Sequence, residues 1–160
     1  MTTINKKKAK IIVFLIMDND FIPHINRLRS SGLRPTKQRL LISKVLFGRS
    51  DTFHFTIENL KKIIRNNSKA KISLATLYNT IHAFEKNGYL KKLSLKSNKI
   101  FYDTNTTTHH HFYDDDTGNL SDIKNEEITL SKVPKTPYGK KIKAIEVILS
   151  IESNNQNQKK

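Results

Sequence analysis

Apolar residues recur at intervals of three and four through the first half of this chain, then alternate with polar ones from about residue 90. The first spacing lines side chains along one face of a helix, the second along one face of a strand. Ile22, Ile25 and Leu28 predict a short helix from about Phe21 to Ser31, stopped by Gly32. In "GLRPTKQRLLISKVLFG", Thr36 is placed to cap a second helix after Pro35, and Gly48 closes it. Its stripe is Leu40, Leu41, Val45 and Leu46, with Arg34, Lys37 and Arg39 off the stripe or near the helix start. In "HFTIENLKKIIRNN", Thr56 can cap a third helix. That helix turns Ile57, Leu60, Ile63 and Ile64 one way and Lys61, Lys62 and Arg65 the other.

A fourth helix opens at Ser73, whose hydroxyl can accept from a backbone N–H of the first turn. Leu74, Leu77, Ile81 and Phe84 form its stripe, and Gly88 supplies the stop. The other positions carry Ala75, Thr76, Tyr78, Asn79, His82 and Lys86. Small residues permit close approach, and donors and acceptors can meet base edges and phosphates, as a helix lying in a DNA major groove requires. An amphipathic surface helix would show the same stripe, but its solvated face usually carries more Glu/Lys pairs than the Glu85–Lys86 seen here. The stretch "YLKKLSLKSNKIFYD" then alternates around a Ser-Asn turn, with Leu93 and Leu95 before it and Ile100 and Tyr102 after it, and reads as a hairpin. Helix, helix, recognition helix and basic hairpin make a winged helix-turn-helix.

Charge supports a polyanion partner for this half. The net charge of the 160 residues is +15, with 36% hydrophobic and 27% charged residues, a balance that suits a globular protein with a modest core. Residues 1–17 hold four lysines and no acid, residues 18–103 hold 17 basic and six acidic groups, and residues 104–160 hold eight of each. A basic front joined to a neutral back suggests a polyanion-binding module attached to something else. A general lysine bias from an AT-rich genome would raise the charge without any ligand. The chain has no cysteine, which excludes disulfides, zinc–thiolate sites and cysteine nucleophiles and fits a reducing cytoplasm.

The opening "MTTINKKKAKIIVFLIM" has the look of a signal peptide, but its apolar run spans only Ile11–Met17 and no small-residue cleavage site follows. The run is far shorter than the ~20 residues of a membrane helix. A disordered basic tail, a short extra strand or helix, and a mis-assigned start with Met17 as the true one all fit; the tail or the mis-assigned start is preferred.

The chemistry gathers in "DTNTTTHHHFYDDDTGNLSD", residues 103–122. Read as strand, turn, strand, it points His109 and His111 one way and His110 the other. Two imidazoles on one face, with a carboxylate from each flank, can close around one divalent ion. The same residues also fit a polar loop, and spacing alone does not separate the two readings. The run Asp114–Asp116 reads as a solvated turn, and one of Phe112 and Tyr113 as core. His24 reads as a surface residue, and His82 as exposed and near a phosphate at most. Farther on, Pro134, Pro137 and Gly139 mark a loop after a short helix from Glu126 to Lys132. A strand from about Ile142 to Ile151 follows, able to pair with a partner's edge, and then a polar tail.

Taken together, "GLRPTKQR", "HFTIENL" and "ISLATLYNTIHAFEKNGYL" resemble the ferric uptake regulator family of bacterial metal-responsive repressors. "LRPTKQR", "SLATLYNT", "THHHFY" and "SKVPKTPYGKKIKAIEVILSIES" resemble its iron response regulator branch. The resemblance covers about residues 20 to 152. It implies an α+β chain: a winged helix-turn-helix DNA-binding domain over 18–102 and a small α/β sensing and dimerisation domain over 103–152. Residues 1–17 and 153–160 are then tails. It implies a regulatory metal site of His54, Asp103, His109, His111 and Asp122, and haem bound through His109, His110 and His111. DNA contacts fall to Arg34, which matches a basic residue reaching the minor groove, and to Ser73, Thr76, Tyr78 and Asn79 on the recognition helix. Asn79 replaces an arginine usual in the family. The family's cysteine zinc site and the branch's Cys-Pro haem motif are both missing here.

The resulting expectation is a dimeric, cytoplasmic regulator of iron and haem homeostasis. It would bind a double-stranded operator and respond to haem or to Fe2+, Mn2+ or Zn2+, with no membrane involved. A direct manganese-, iron- or peroxide-responsive repressor is the alternative, followed by a ligand-independent DNA-binding protein. Two His and one Asp could also form the facial triad of a non-haem iron oxygenase. Such an enzyme needs an enclosing barrel and a substrate pocket, and the expected strands are too few, so no catalytic residue is assigned.

Overall fold

A computed structural model describes residues 19–68, 70–95 and 99–154. The basic tail at residues 1–17, the Ser-Asn turn of the hairpin and residues 155–160 lie outside the described residues. The chain divides into two compact units, with the boundary after Thr106.

The first unit opens with a 3-10 turn, Asn19–Phe21, and four helices follow: α1 (Ile22–Ser30), α2 (Lys37–Phe47), α3 (Ile57–Ser68) and α4 (Leu74–Lys86). The caps stand where the sequence puts them. Thr36 accepts from the Arg39 N–H at 3.3 Å, Thr56 from the Asn59 N–H at 3.2 Å, and Ser73 from the Thr76 N–H at 3.1 Å. Gly88 has φ +73° and ends α4, a conformation that costs glycine little.

Three faces differ from the periodicity reading. On α2 the buried residues are Leu40, Ile42, Ser43 and Leu46, while Leu41 and Val45 are only half-buried. This helix packs against α1, α3 and α4, so its buried face is wider than one stripe. On α4, Leu77, Ile81 and Phe84 are fully buried but Leu74 is 43% exposed, because the first turn projects past the core. On α1, Ile22 is 42% exposed and His24 is buried at 5%, not on the surface as the sequence suggested. Its Nδ1 lies 3.0 Å from Ser43 Oγ on α2, so its polarity is met inside. Burial, and then the nearby Arg27 and Lys44, lower the His24 pKa, against a weaker pull from Asp20.

Three short strands complete the unit: β1 (His54–Phe55), β2 (Lys91–Ser94) and β3 (Ile100–Asp103), in the antiparallel order β1-β3-β2. Leu93, Phe101 and Tyr102 are buried, with Tyr102 in the core, while Ile100 is exposed. β3 carries Asp103 into this unit by pairing it with both His54 and Lys91.

The second unit is a sheet of β4 (His110–Asp114), β5 (Leu120–Ile123) and β6 (Ile148–Ile151), in the order β5-β4-β6. β5 runs antiparallel to β4, and β6 runs parallel to it. The acidic run makes the turn between β4 and β5. Asp114 Oδ1 accepts from the N–H groups of Asp116 and Thr117, at 2.9 and 3.0 Å, and the Thr117 bond leads in lowering the Asp114 pKa. The helix expected from Glu126 to Lys132 is instead a 3-10 turn, Asn125–Glu127. The expected strand is shortened to Ile148–Ile151, which pairs with His111 to Asp114 of β4. Among the described residues, no helix is long and apolar enough to cross a membrane.

Candidate functional site

Two groups of titratable side chains, one in each unit, carry the metal-ligand chemistry. In the first unit, β1 and β3 set His54 opposite Asp103. His54 Nε2 lies 3.3 Å from Asp103 Oδ2, and the carboxylate is fully buried. The other oxygen, Oδ1, accepts from the Asn105 N–H at 2.7 Å. Thr104 braces the same corner: its Oγ1 accepts from the Phe53 N–H at 2.9 Å.

In the second unit, alternation along β4 divides the histidine triplet as expected. His109 and His111 lie on one face, with ring centroids 4.4 Å apart. His110 turns away, and its Nδ1 accepts the Val147 N–H at 3.1 Å. The triplet therefore does not present three imidazoles to one ligand. β5 returns Asp122 opposite His111. Its Oδ1 lies 3.2 Å from His109 Nε2 and 3.8 Å from His111 Nε2.

The tautomer of His109 follows from its other nitrogen. Nδ1 is 2.9 Å from the Thr107 carbonyl oxygen, which can only accept, so Nδ1 carries the proton. In the neutral imidazole Nε2 then directs a lone pair at the Asp122 carboxylate. Two acceptors 3.2 Å apart repel unless a proton or a metal cation lies between them. A carbonyl that orients a ligating imidazole is a frequent companion of metal sites. His109, His111 and Asp122 each offer one ligand atom within 4.8 Å of the others, so this N/O donor set fits a divalent ion such as Zn2+, Mn2+ or Fe2+.

The residues expected to face DNA sit on α4 and on the loop before α2. Ser73 and Thr76 hold each other, Oγ to Oγ1, at 2.9 Å. Tyr78 is 49% exposed, Asn79 is exposed, and Arg34 is exposed ahead of α2. Tyr78, Glu58, Lys99 and Tyr102 line a cavity of about 300 Å³. Burial, and then Glu85, Tyr78 and Glu58, raise the Tyr102 pKa. His82 is exposed, with Nδ1 3.6 Å from Glu85. Periodicity places Leu74 on the buried stripe, but it joins Ala75 on the exposed first turn. An apolar side chain there suits contact with a thymine methyl. Its place one turn before the first fully buried residue is the signal that could have marked it.

The profile of the Ferric uptake regulator family matches residues 30–150. Among solved structures, the chain resembles the ferric uptake regulator of Vibrio cholerae, with a TM-score of 0.59 at 19% identity, covering 81% of this chain and 98% of that one. It also resembles a zinc-bound manganese uptake regulator, with a TM-score of 0.57 at 22% identity, covering 79% and 96%. The ferric uptake regulator from Francisella tularensis with iron gives 0.59 at 16% identity, covering 76% and 92%. At these identities the likeness shows the fold alone. No curated protein matches the chain. The matched span settles the class: this chain belongs to the ferric uptake regulator family of metal-responsive transcriptional regulators.

Proposed function

We propose that this protein is a homodimeric, DNA-binding regulator that senses a divalent metal ion through His54, Asp103, His109, His111 and Asp122. The observation that carries the reading is the His109 tautomer: a proton donated to the Thr107 carbonyl leaves Nε2 aimed at the Asp122 carboxylate. In this reading all five donors serve one ion, Fe2+, Mn2+ or Zn2+, which supplies charge to bind two carboxylates and three imidazoles together. A ligand set drawn from both units is satisfied only in some orientations of those units. Occupancy then shifts their population, and with it the spacing of two DNA-reading heads.

On the DNA side, Tyr78 and Asn79 read bases, Ser73 and Thr76 approach the backbone, and Arg34 enters the minor groove. A two-fold dimer would meet half-sites about one helical turn (~34 Å) apart. The exposed apolar side chains Ile148, Leu149 and Ile151 on β6 suit a contact with a second copy.

Haem sensing, and with it the iron response regulator branch, draws less support from the geometry. His109 and His111 are 5% and 0% exposed and share one carboxylate, an arrangement suited to a bare ion. The test is a fluorescence-anisotropy titration of a candidate operator with the protein alone, with Fe2+, Mn2+ or Zn2+, and with haem. A divalent ion should change the affinity. Binding that is indifferent to every ion but sensitive to haem would overturn the metal reading.

A further inference from the structure

The first unit holds two arginines that stand outside the proposed metal and DNA contacts. Arg27 on α1 has its guanidinium 4.0 Å from the Phe47 ring centroid and 5.3 Å from that of Tyr89. Its buried Nε makes no hydrogen bond. Arg49, just past the end of α2, lies 3.9 Å over the Phe53 ring. Among the described residues, neither guanidinium is paired with a carboxylate. A guanidinium held over an aromatic ring gains cation–π attraction, and its terminal N–H groups are the part that can meet an oxyanion.

Both side chains line one cavity of about 240 Å³, together with Ser50, Thr52 and Thr104. Asp51 also lies on the wall, so two guanidiniums stand against one carboxylate. Burial lowers the Arg27 pKa, meaning that its charge is held at a desolvation cost that an arriving anion would offset. We propose that Arg27 and Arg49 form a binding site for a small oxyanion, a phosphate or a carboxylate.

Two features favour a free small anion over the DNA backbone. The cavity lies at the C-terminal end of α2, whose 11 residues separate it by about 16 Å from the Thr36 end beside the expected DNA contacts. It also shares no lining residue with the cavity along Tyr78. Leu46 and Phe47 give it an apolar floor beneath the exposed Arg49 and Ser50.

The test titrates the full chain with inorganic phosphate in one arm and succinate in the other, at fixed metal content. The arginine Nε–H signals and the Ser50 and Thr52 amides are followed by 15N NMR. At least one arm should give saturable shifts at Arg27 and Arg49, and the arm that saturates identifies the oxyanion class. Arg49→Gln should weaken that binding about tenfold or more. Arg27→Lys, which keeps a cation but loses the fork, should weaken it as well. Lys62→Gln removes the same charge from the exposed face of α3 and should leave binding within about twofold. No saturation in either arm would overturn the proposal. So would equal weakening in Lys62→Gln, the sign of diffuse attraction to a chain of net charge +15.

Discussion

His54 Nε2 stands 3.3 Å from Asp103 Oδ2 because the two residues are register partners across β1 and β3. Two short strands thus hold an imidazole against a fully buried carboxylate. Asp103→Asn keeps the shape of the side chain and its hydrogen bond to Asn105 while removing the charge. It is expected to lower Mn2+ affinity at least about tenfold, or about 1.4 kcal/mol. Calorimetric titration checks it, and unchanged affinity would make the pair purely structural.

His109 and His111 share the Asp122 carboxylate. Replacing both histidines with alanine should abolish metal uptake by the second unit and the metal response of operator binding. Non-specific DNA binding, which depends on the basic first unit, should persist. Equilibrium dialysis with Zn2+ and a gel-shift assay on the same preparation separate the two effects.

Tyr78, half exposed on α4, is expected to read bases. Tyr78→Ala should weaken operator binding by about 1–3 kcal/mol while leaving non-specific binding nearly intact. Its salt slope should not change. Lys92→Gln on β2 should instead lower the salt slope by about 0.9 if the wing touches one phosphate. Equal losses on operator and random DNA for Tyr78→Ala would remove this helix from the reading role.

Leu74 and Leu77 stand one turn apart on α4 but in opposite surroundings, 43% and 0% exposed. Leu77→Ala should cost about 2–5 kcal/mol in urea denaturation. Leu74→Ala should cost no more than about 0.5 kcal/mol and show its effect on DNA affinity instead. Similar stability losses from both would return Leu74 to the core.

The buried His24 makes the stability of the first unit depend on pH. Burial, with Arg27 and Lys44 nearby, holds its folded pKa below that of the unfolded chain. The unfolded state therefore takes up the proton first. This contribution is full above the unfolded value of about 6.5 and is lost as pH falls from there toward the folded pKa. Urea midpoints compared at pH 7.5 and 5.5 should fall more for the parent than for His24→Gln. Equal falls would show that His24 titrates alike in both states.

Much of the first unit was legible because its signals are local. Thr36, Thr56 and Ser73 cap helices through bonds spanning three residues, and spacing places Leu77, Ile81 and Phe84 on one face. What escaped depends on packing between elements. Ile42 is buried because α2 has neighbours on several sides, and His24 is buried because Ser43 waits on another helix to receive it. The same division runs through the candidate site. Strand alternation separates His110 from His109 and His111, whereas the Thr107 carbonyl that fixes the His109 tautomer has no mark in the sequence. The shortened β6 was hidden for a similar reason: alternation runs from Ile142, whereas pairing with β4 is made only by Ile148–Ile151.

The two oxygens of Asp103 divide their labour, Oδ1 holding the Asn105 N–H and Oδ2 facing His54. A carboxylate is rigid, so a pull on one oxygen rotates the other. Asn105 is the second residue past the end of β3, where the chain heads toward the second unit. An ion drawing on Oδ2 would therefore be felt at the Asn105 N–H, two residues past the strand. The buried carboxylate thus ties a candidate ligand oxygen to the backbone of the segment that follows β3.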